Sequence, residues 1–220
     1  MPDEKIFLMW LTAGVVSLIT GKLMVSWSLA LSRANSEYIT PFLSLGQVEK
    51  GGRPLTVVAA VFPLIVGAVA GQVHGFSMPV LVWSFVAAVF LLQFTISDLL
   101  WQLIFDKQLA LFALLGLLRV LMLDGPVLDH CLAAVLGGGV FWLLAVLTRG
   151  GIGGGDVKLM AALGLWLGTG LLYQTGVWGI ILGGIGALLL LVTKKRQRKD
   201  VFPYGPFFAL TALVLMIMQQ

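Results

Sequence analysis

Apolar runs long enough to cross a lipid bilayer make up most of this chain, and they restrict its fold more than any other feature. One spanning helix needs roughly 20 apolar residues, and the 220-residue chain is 59% hydrophobic and only 11% charged. No strand-like alternation is sustained anywhere, so the runs are predicted to be helices. The runs lie at about residues 6–32, 55–76, 78–97, 108–123, 127–148, 158–175, 176–193 and 201–218.

These runs predict an all-α fold. We expect a polytopic membrane helix bundle with about eight transmembrane helices, forming a single membrane domain over residues 1–220. The sixth and seventh runs nearly touch and could form one re-entrant pair, so seven helices is the alternative count. A soluble domain carries about 25% charged residues, so the low charge of this chain leaves almost no room for a separate soluble domain.

Lysine and arginine mark alternate loops of the predicted bundle. The basic loops lie at 33–53, 98–107, 149–158 and 194–200. Because basic loops stay on the cytoplasmic side of a membrane, all four are predicted to be cytoplasmic and both termini to lie outside. The run at 194–199 is interpreted as a topology signal that also meets anionic lipid headgroups. It has no aromatic platform beside it, so no nucleic-acid partner is expected.

Few residues are available for metal or disulfide chemistry. Cys131 is the single cysteine, so no disulfide can form within the chain and no cysteine-based zinc site is possible. His74 and His130 are far apart in sequence and are interpreted as buried or interfacial side chains. No metal site is predicted.

Two apolar runs each have a carboxylate at one end. Asp156 follows Gly153-Gly154-Gly155 and precedes a long apolar run, and Asp98 ends another. Carboxylates near hydrocarbon are costly, so they are candidates for function. Interpreted without function, both are interfacial residues at helix ends, with Asp156 near a helix N-terminus.

Two such carboxylates suit one reaction in particular. When carboxylates lie close together they share a proton and titrate as a pair. Such a pair can hydrolyse a peptide bond, because one member takes a proton from water and the other donates to the carbonyl oxygen or the leaving amine. The glycines beside Asp156 present no side chain, so they would let a substrate backbone approach. Asp106 is also on the predicted cytoplasmic side.

Three motifs, in order, resemble the type IV prepilin peptidase family, which are membrane aspartyl endopeptidases of the GxGD class. Residues 153–168 read Gly-x-Gly-Asp-x-Lys-Leu-x-Ala-Ala-Leu-Gly-x-Trp-Leu-Gly. Asp98 and Asp106 match the first and last positions of the family's Asp-x-x-x-x-x-x-Pro-Asp pattern, with Phe105 in place of the proline. Residues 202–207 resemble the family's Pro-Phe-Gly-Pro-Phe element. The resemblance covers roughly residues 90–215, the expected peptidase core.

The N-terminal part departs from many members of that family. Those members carry paired Cys-x-x-Cys motifs that hold zinc in a cytoplasmic loop, whereas the corresponding loop at 33–53 is short and has no cysteine. Residues 38–44 look like a remnant of that loop's Pro-x-Leu-Ser element. Many members also methylate the new N-terminal amine with S-adenosylmethionine, which would be a cofactor here only if that activity is retained. Peptide cleavage needs no cofactor.

The resemblance implies a peptidase of a bacterial inner membrane with its active site facing the cytoplasm. Its substrates would be type IV prepilins or pseudopilins, cut between a short basic leader and an apolar helix, and the lipid bilayer would be its other partner. The implied site residues are the catalytic pair Asp98 and Asp156, the substrate-proximal glycines Gly153 and Gly155, and the supporting candidates Lys158 and Asp106.

Two other functions stay open on the residues alone. One is a GxGD protease of the presenilin kind, which would cut inside a transmembrane segment. The other is a small transporter whose aspartates bind ions or relay protons. The transporter hypothesis predicts carboxylates near the middle of the bilayer, whereas Asp98 and Asp156 both fall at the ends of apolar runs.

Overall fold

The computed structural model describes residues 2–34, 52–75, 77–149, 151–193 and 202–219, and in these ranges its regular elements are α-helices alone. Residues 35–51 of the predicted loop at 33–53, which include the motif remnant at 38–44, lie outside the described residues, as does the basic run at 194–199. The helices are α1 (Pro2–Ala34), α2 (Gly52–His74), α3 (Met78–Trp101), α4 (Asp106–Met122), α5 (Val127–Leu147), α6 (Gly154–Val192) and α7 (Gly205–Gln219).

The all-α prediction is confirmed, and the seven helices of the described ranges match the alternative count. Five of those helices contain segments long and apolar enough to cross a membrane. These segments are Thr12–Ala34, Thr56–His74, Met78–Trp101, Val127–Leu147 and Gly154–Val192. The chain divides into two compact units, one holding α1–α3 and ending at Gln102, the other covering Leu103–Gln219 with α4–α7.

In the first unit, small and polar residues join α1 to its two neighbours. A Cβ on Gly21 would lie 2.9 Å from the carbonyl carbon of Ala59, so the backbones of α1 and α2 are in close contact there. The Ser28 hydroxyl of α1 accepts a hydrogen bond from Nε2 of Gln93 on α3. In membranes, small residues allow close approach of helices, and polar side chains hydrogen-bond between them.

In the second unit, α6 is broken at Gly168, whose φ of 70° and ψ of 178° are not helical. In an unbroken helix, Met160 and Gly176 would be about 24 Å apart. A Cβ on Gly176 would instead lie 3.6 Å from Cε of Met160. The second half of α6 (169–192) therefore folds back along the first half (154–167).

The prediction separated the sixth and seventh runs between residues 175 and 176, and that boundary is wrong. The chain turns at Gly168, in a region of φ and ψ that is essentially restricted to glycine. Apolar segments continue on both sides of the turn, and one threonine, Thr169, does not interrupt them enough for hydropathy to mark it. The reversal directs the second half of α6 back toward the end of the unit that holds Asp156.

Asp129, in the first turn of α5, holds the start of the second half of α6. Its Oδ2 accepts the backbone N–H of Thr169 at 3.0 Å, and its Oδ1 accepts the Thr169 hydroxyl at 2.6 Å. A helix start leaves N–H groups without partners in its own helix. Asp129 satisfies one of them, so both of its oxygens are used to fix the break.

Two further side chains hydrogen-bond to backbone carbonyl groups on the other side of the break. Nδ1 of His130 lies 3.0 Å from the Leu165 carbonyl oxygen, and because a carbonyl only accepts, this nitrogen donates. Nη1 of Arg119 donates to the Trp166 carbonyl at 3.3 Å. Non-helical backbone at membrane depth is tolerated where neighbouring groups satisfy its polar atoms, and these side chains do so.

Close helix crossings complete the second unit. A Cβ on Gly164 would overlap the backbone of Ala133 and Ala134 on α5. On α4, Gly116 leaves room for the indole of Trp166, which stacks on Phe112 with ring centroids 4.8 Å apart. Glycines therefore set how closely α4 and α5 approach the first half of α6.

Candidate functional site

Asp156 lies in the first turn of α6, as the third residue after the N-cap Gly153. Its side chain is buried. Its backbone N–H and that of Val157 both donate to the Gly153 carbonyl, at 3.1 and 3.3 Å. An acidic side chain in a first turn interacts favourably with the positive end of the helix dipole. The helix dipole thus offsets part of the cost of burying this carboxylate.

The three glycines before Asp156 have different surroundings. Gly153 and Gly154 are exposed, and a Cβ on Gly154 would meet nothing within 4 Å. A Cβ on Gly153 would lie 3.5 Å from Oδ2 of Asp156, whereas one on Gly155 would lie 3.4 Å from Cβ of Ile104. The open backbone beside the carboxylate is therefore at Gly153 and Gly154, while Gly155 packs against Ile104. The substrate-proximal role of Gly153 and Gly155 stays a prediction.

The two supporting candidates, Asp106 and Lys158, lie together. Nζ of Lys158 is 2.7 Å from Oδ1 and 2.9 Å from Oδ2 of Asp106. Asp106 is in the first turn of α4, and Lys158 is two residues beyond Asp156 on α6. The pair joins the amino ends of α4 and α6.

Asp98 lies in the last turn of α3, in the first unit, and its side chain is buried. Its carbonyl accepts the N–H of Gln102, which ends the helix with φ 50° and ψ 38°. Two buried polar residues precede it on α3: Gln93, bonded to α1, and Ser97, whose hydroxyl donates to the Gln93 carbonyl at 2.9 Å. Asp98 thus ends a short buried polar stretch of an otherwise apolar helix.

Sequence reasoning missed this polar stretch, and it missed the residues that hold the α6 break. Gln93 and Ser97 precede Asp98 by five residues and one residue inside an apolar run, and that interruption was the available signal. His130 was interpreted only as a buried or interfacial side chain, and Asp129 was not a candidate. Their partners, Leu165 and Thr169, lie 35 and 40 residues further along the chain, so the sequence offers no local signal for these contacts.

Charge is unevenly distributed in the second unit. Apart from the arginine that holds the α6 break, its described basic residues gather at the end of the unit that holds Asp156. Lys107 and Lys158 lie near the starts of α4 and α6, and Arg149 follows α5. Asp129 lies at the opposite end, beside the break. No three His, Cys, Asp or Glu side chains come together as a metal site within the described ranges.

These observations define a polytopic helical membrane protein with buried carboxylates at helix ends. Residues 85–188, which include Asp98 and Asp156, match the model of the type IV leader peptidase family. That segment is similar to this family, in agreement with the resemblance of its motifs.

Three relatives named prepilin leader peptidase/N-methyltransferase illustrate the match. The chain is 30% identical over 149 residues to that of Bacillus subtilis (strain 168), covering 64% of this chain and 57% of the relative. It is 31% identical over 146 residues to that of Aeromonas salmonicida (strain A449), with coverages of 61% and 50%. It is 30% identical over 160 residues to that of Neisseria gonorrhoeae, with coverages of 69% and 53%. The chain spans about half the length of these relatives. No solved structure matches it.

Proposed function

We propose that this chain is a membrane-embedded aspartyl endopeptidase that removes the short basic leader from type IV prepilins or pseudopilins. One observation carries the proposal. Two carboxylates, Asp98 and Asp156, are buried at helix ends inside the segment that matches the leader peptidase family. Buried carboxylates in a membrane protein are expensive to keep, and the reaction described below requires two of them.

In the proposed reaction Asp98 and Asp156 share one proton. The ionised carboxylate takes a proton from water, whose oxygen adds to the scissile carbonyl carbon, while the other carboxyl donates its proton to the carbonyl oxygen. The tetrahedral gem-diol intermediate then collapses: the ionised carboxylate takes a proton from one of its hydroxyl groups, the carbon–nitrogen bond breaks, and the protonated carboxyl donates its proton to the leaving amine. The two carboxyl groups end with one proton between them, as they began, and no cofactor is consumed.

We propose that the site faces the cytoplasm of a bacterial inner membrane. Lys107, Arg149 and Lys158 share the end of the second unit that holds Asp156, and basic residues are retained on the cytoplasmic side. A basic substrate leader would lie on that same side for the same reason. The exposed backbone at Gly153 and Gly154 would then accept the segment that contains the scissile bond.

The test is to co-express the chain with a candidate prepilin and to determine the N-terminal residue of the mature pilin by mass spectrometry. We expect cleavage at the junction between the basic leader and the apolar helix. The same spectrum shows whether the new amine carries a methyl group, which decides the need for S-adenosylmethionine. A cut inside the apolar helix would favour the presenilin-like alternative. The absence of any cleavage with several prepilins would contradict a peptidase function.

A further inference from the structure

The pair formed by Asp106 and Lys158 is the one ion pair found within the described residues. Both carboxylate oxygens of Asp106 lie within 2.9 Å of the Lys158 ammonium nitrogen, so the contact is bidentate. It joins two helix starts that are 52 residues apart in the chain. A second contact lies close by. Ile104, two residues before Asp106, is buried and packs against Gly155, where an added Cβ would lie 3.4 Å from Cβ of Ile104.

The ion pair itself adds little to stability. The Lys158 side chain is 55% exposed and the Asp106 side chain is 70% exposed. Exposed ion pairs contribute little to the free energy of folding. The pair instead fixes the position of a turn, because it connects the turn that carries Asp156 to the start of α4.

We propose that Asp106 and Lys158 are positioning residues, which hold the first turn of α6 so that Asp156 is correctly placed for the reaction. This inference rests on the proposed function. Neither residue touches the reacting atoms in this proposal. Each acts through the backbone of residues 153–158, and the two act as a unit, so the loss of either partner should have the same consequence.

The experiment compares Asp106→Asn, Lys158→Gln and the swapped pair Asp106→Lys with Lys158→Asp, all in the full-length protein. Lys107→Gln is the matched control for Lys158, since Lys107 is an exposed lysine in the same helix turn as Asp106. Asp124→Asn is the control for Asp106, since Asp124 is an exposed aspartate at the other end of α4. Prepilin cleavage gives kcat and KM, and hydrogen–deuterium exchange follows the amides of residues 154–158.

We expect each single substitution to lower kcat roughly tenfold, within the hundredfold that a displacement of about 1 Å can cost. KM should stay within about twofold, amide exchange at 154–158 should rise, and the swapped pair should recover most of both losses. The control variants should match the wild-type protein. Unchanged exchange and unchanged kcat in Asp106→Asn would overturn the proposal, as would equal effects in the controls.

The exchange measurement separates this inference from the proposed function. If the wild-type protein cleaves no prepilin, the proposed function fails, and amide exchange still reports whether the pair holds the turn. If the wild-type protein cleaves and only the exchange changes, the pair orders the turn without positioning Asp156, and the inference is wrong. Loss of both readouts in the single variants, with recovery in the swapped pair, supports it.

Discussion

The two ends of the first half of α6 contain the same residue types in different roles. At the amino end, exposed glycines precede the buried Asp156. At the other end, Gly168 faces Asp129 of α5, and a Cβ on this glycine would overlap Oδ2 of that carboxylate. One end leaves backbone open beside a carboxylate, whereas at the other end the carboxylate fills the space that the glycine leaves.

The difference teaches which carboxylate is structural. Both oxygens of Asp129 are used by Thr169, so its charge fixes a helix break. The turn that carries Asp156 is closed by backbone hydrogen bonds to Gly153, from the N–H groups of Asp156 and Val157. A glycine next to an aspartate in a membrane helix therefore does not by itself indicate catalysis.

The sharpest test of this comparison replaces each aspartate by asparagine. In Asp156→Asn, and likewise in Asp98→Asn, we expect prepilin cleavage to fall by about 100- to 10,000-fold, because general acid–base catalysis contributes that much. The free energy of unfolding should change little. In Asp129→Asn we expect cleavage per folded molecule to stay within about twofold, while the free energy of unfolding falls by about 1–2 kcal/mol because a bond to Thr169 is weakened.

Cleavage kinetics and denaturant unfolding of the same purified proteins check both halves of this prediction. Full cleavage by Asp156→Asn would remove that residue from the mechanism. A folded but inactive Asp129→Asn protein would show that the break itself takes part in the reaction, and the distinction between the two ends would disappear.

The next largest effect is expected from the glycine at the break. Gly168→Ala places a side chain at φ 70° and drives it against Asp129, so we expect a loss of about 2–4 kcal/mol from backbone strain and the broken cap. Gly170→Ala is the matched control, because a Cβ there meets nothing within 4 Å. Thermal unfolding in detergent measures both variants. Equal stability of the two would mean that the break at Gly168 does not depend on glycine.

The helical class of the fold could be predicted from the sequence, but the position of the chain reversal could not, and α6 shows why. Membrane helices are visible in sequence because the bilayer requires long apolar runs, so the all-α class was correct. The reversal at Gly168 was misplaced because it depends on one residue's backbone conformation and on Asp129, which lies 40 residues before its partner Thr169. Local periodicity carries no information about such a contact.

The candidate site shows the same division. Asp156 was found because a charge beside an apolar run is unusual, and its position in a first turn agrees with the helix start expected there. The contact between Asp106 and Lys158 was not predicted, although both residues were candidates. Side chains on different helices meet only through tertiary packing, and no motif spacing encodes that packing.

The smallest effect we predict separates the glycines at the open end. A Cβ on Gly153 would lie 3.5 Å from Oδ2 of Asp156, whereas one on Gly154 would meet nothing. In Gly153→Ala we expect kcat to fall about three- to tenfold, because the added methyl group restricts the carboxylate and the approach of the substrate, with a stability change below about 1 kcal/mol for the N-cap.

Gly154→Ala is the matched variant for that measurement. Alanine replaces glycine inside a helix turn without a steric contact, so we expect stability to be unchanged or raised by up to about 1 kcal/mol. If a substrate backbone passes over this turn, Gly154→Ala should raise KM while leaving kcat within about twofold. Unchanged KM and kcat in both alanine variants would show that the open backbone at this end serves no substrate, and Asp156 would then have to act on a chain that approaches from another side.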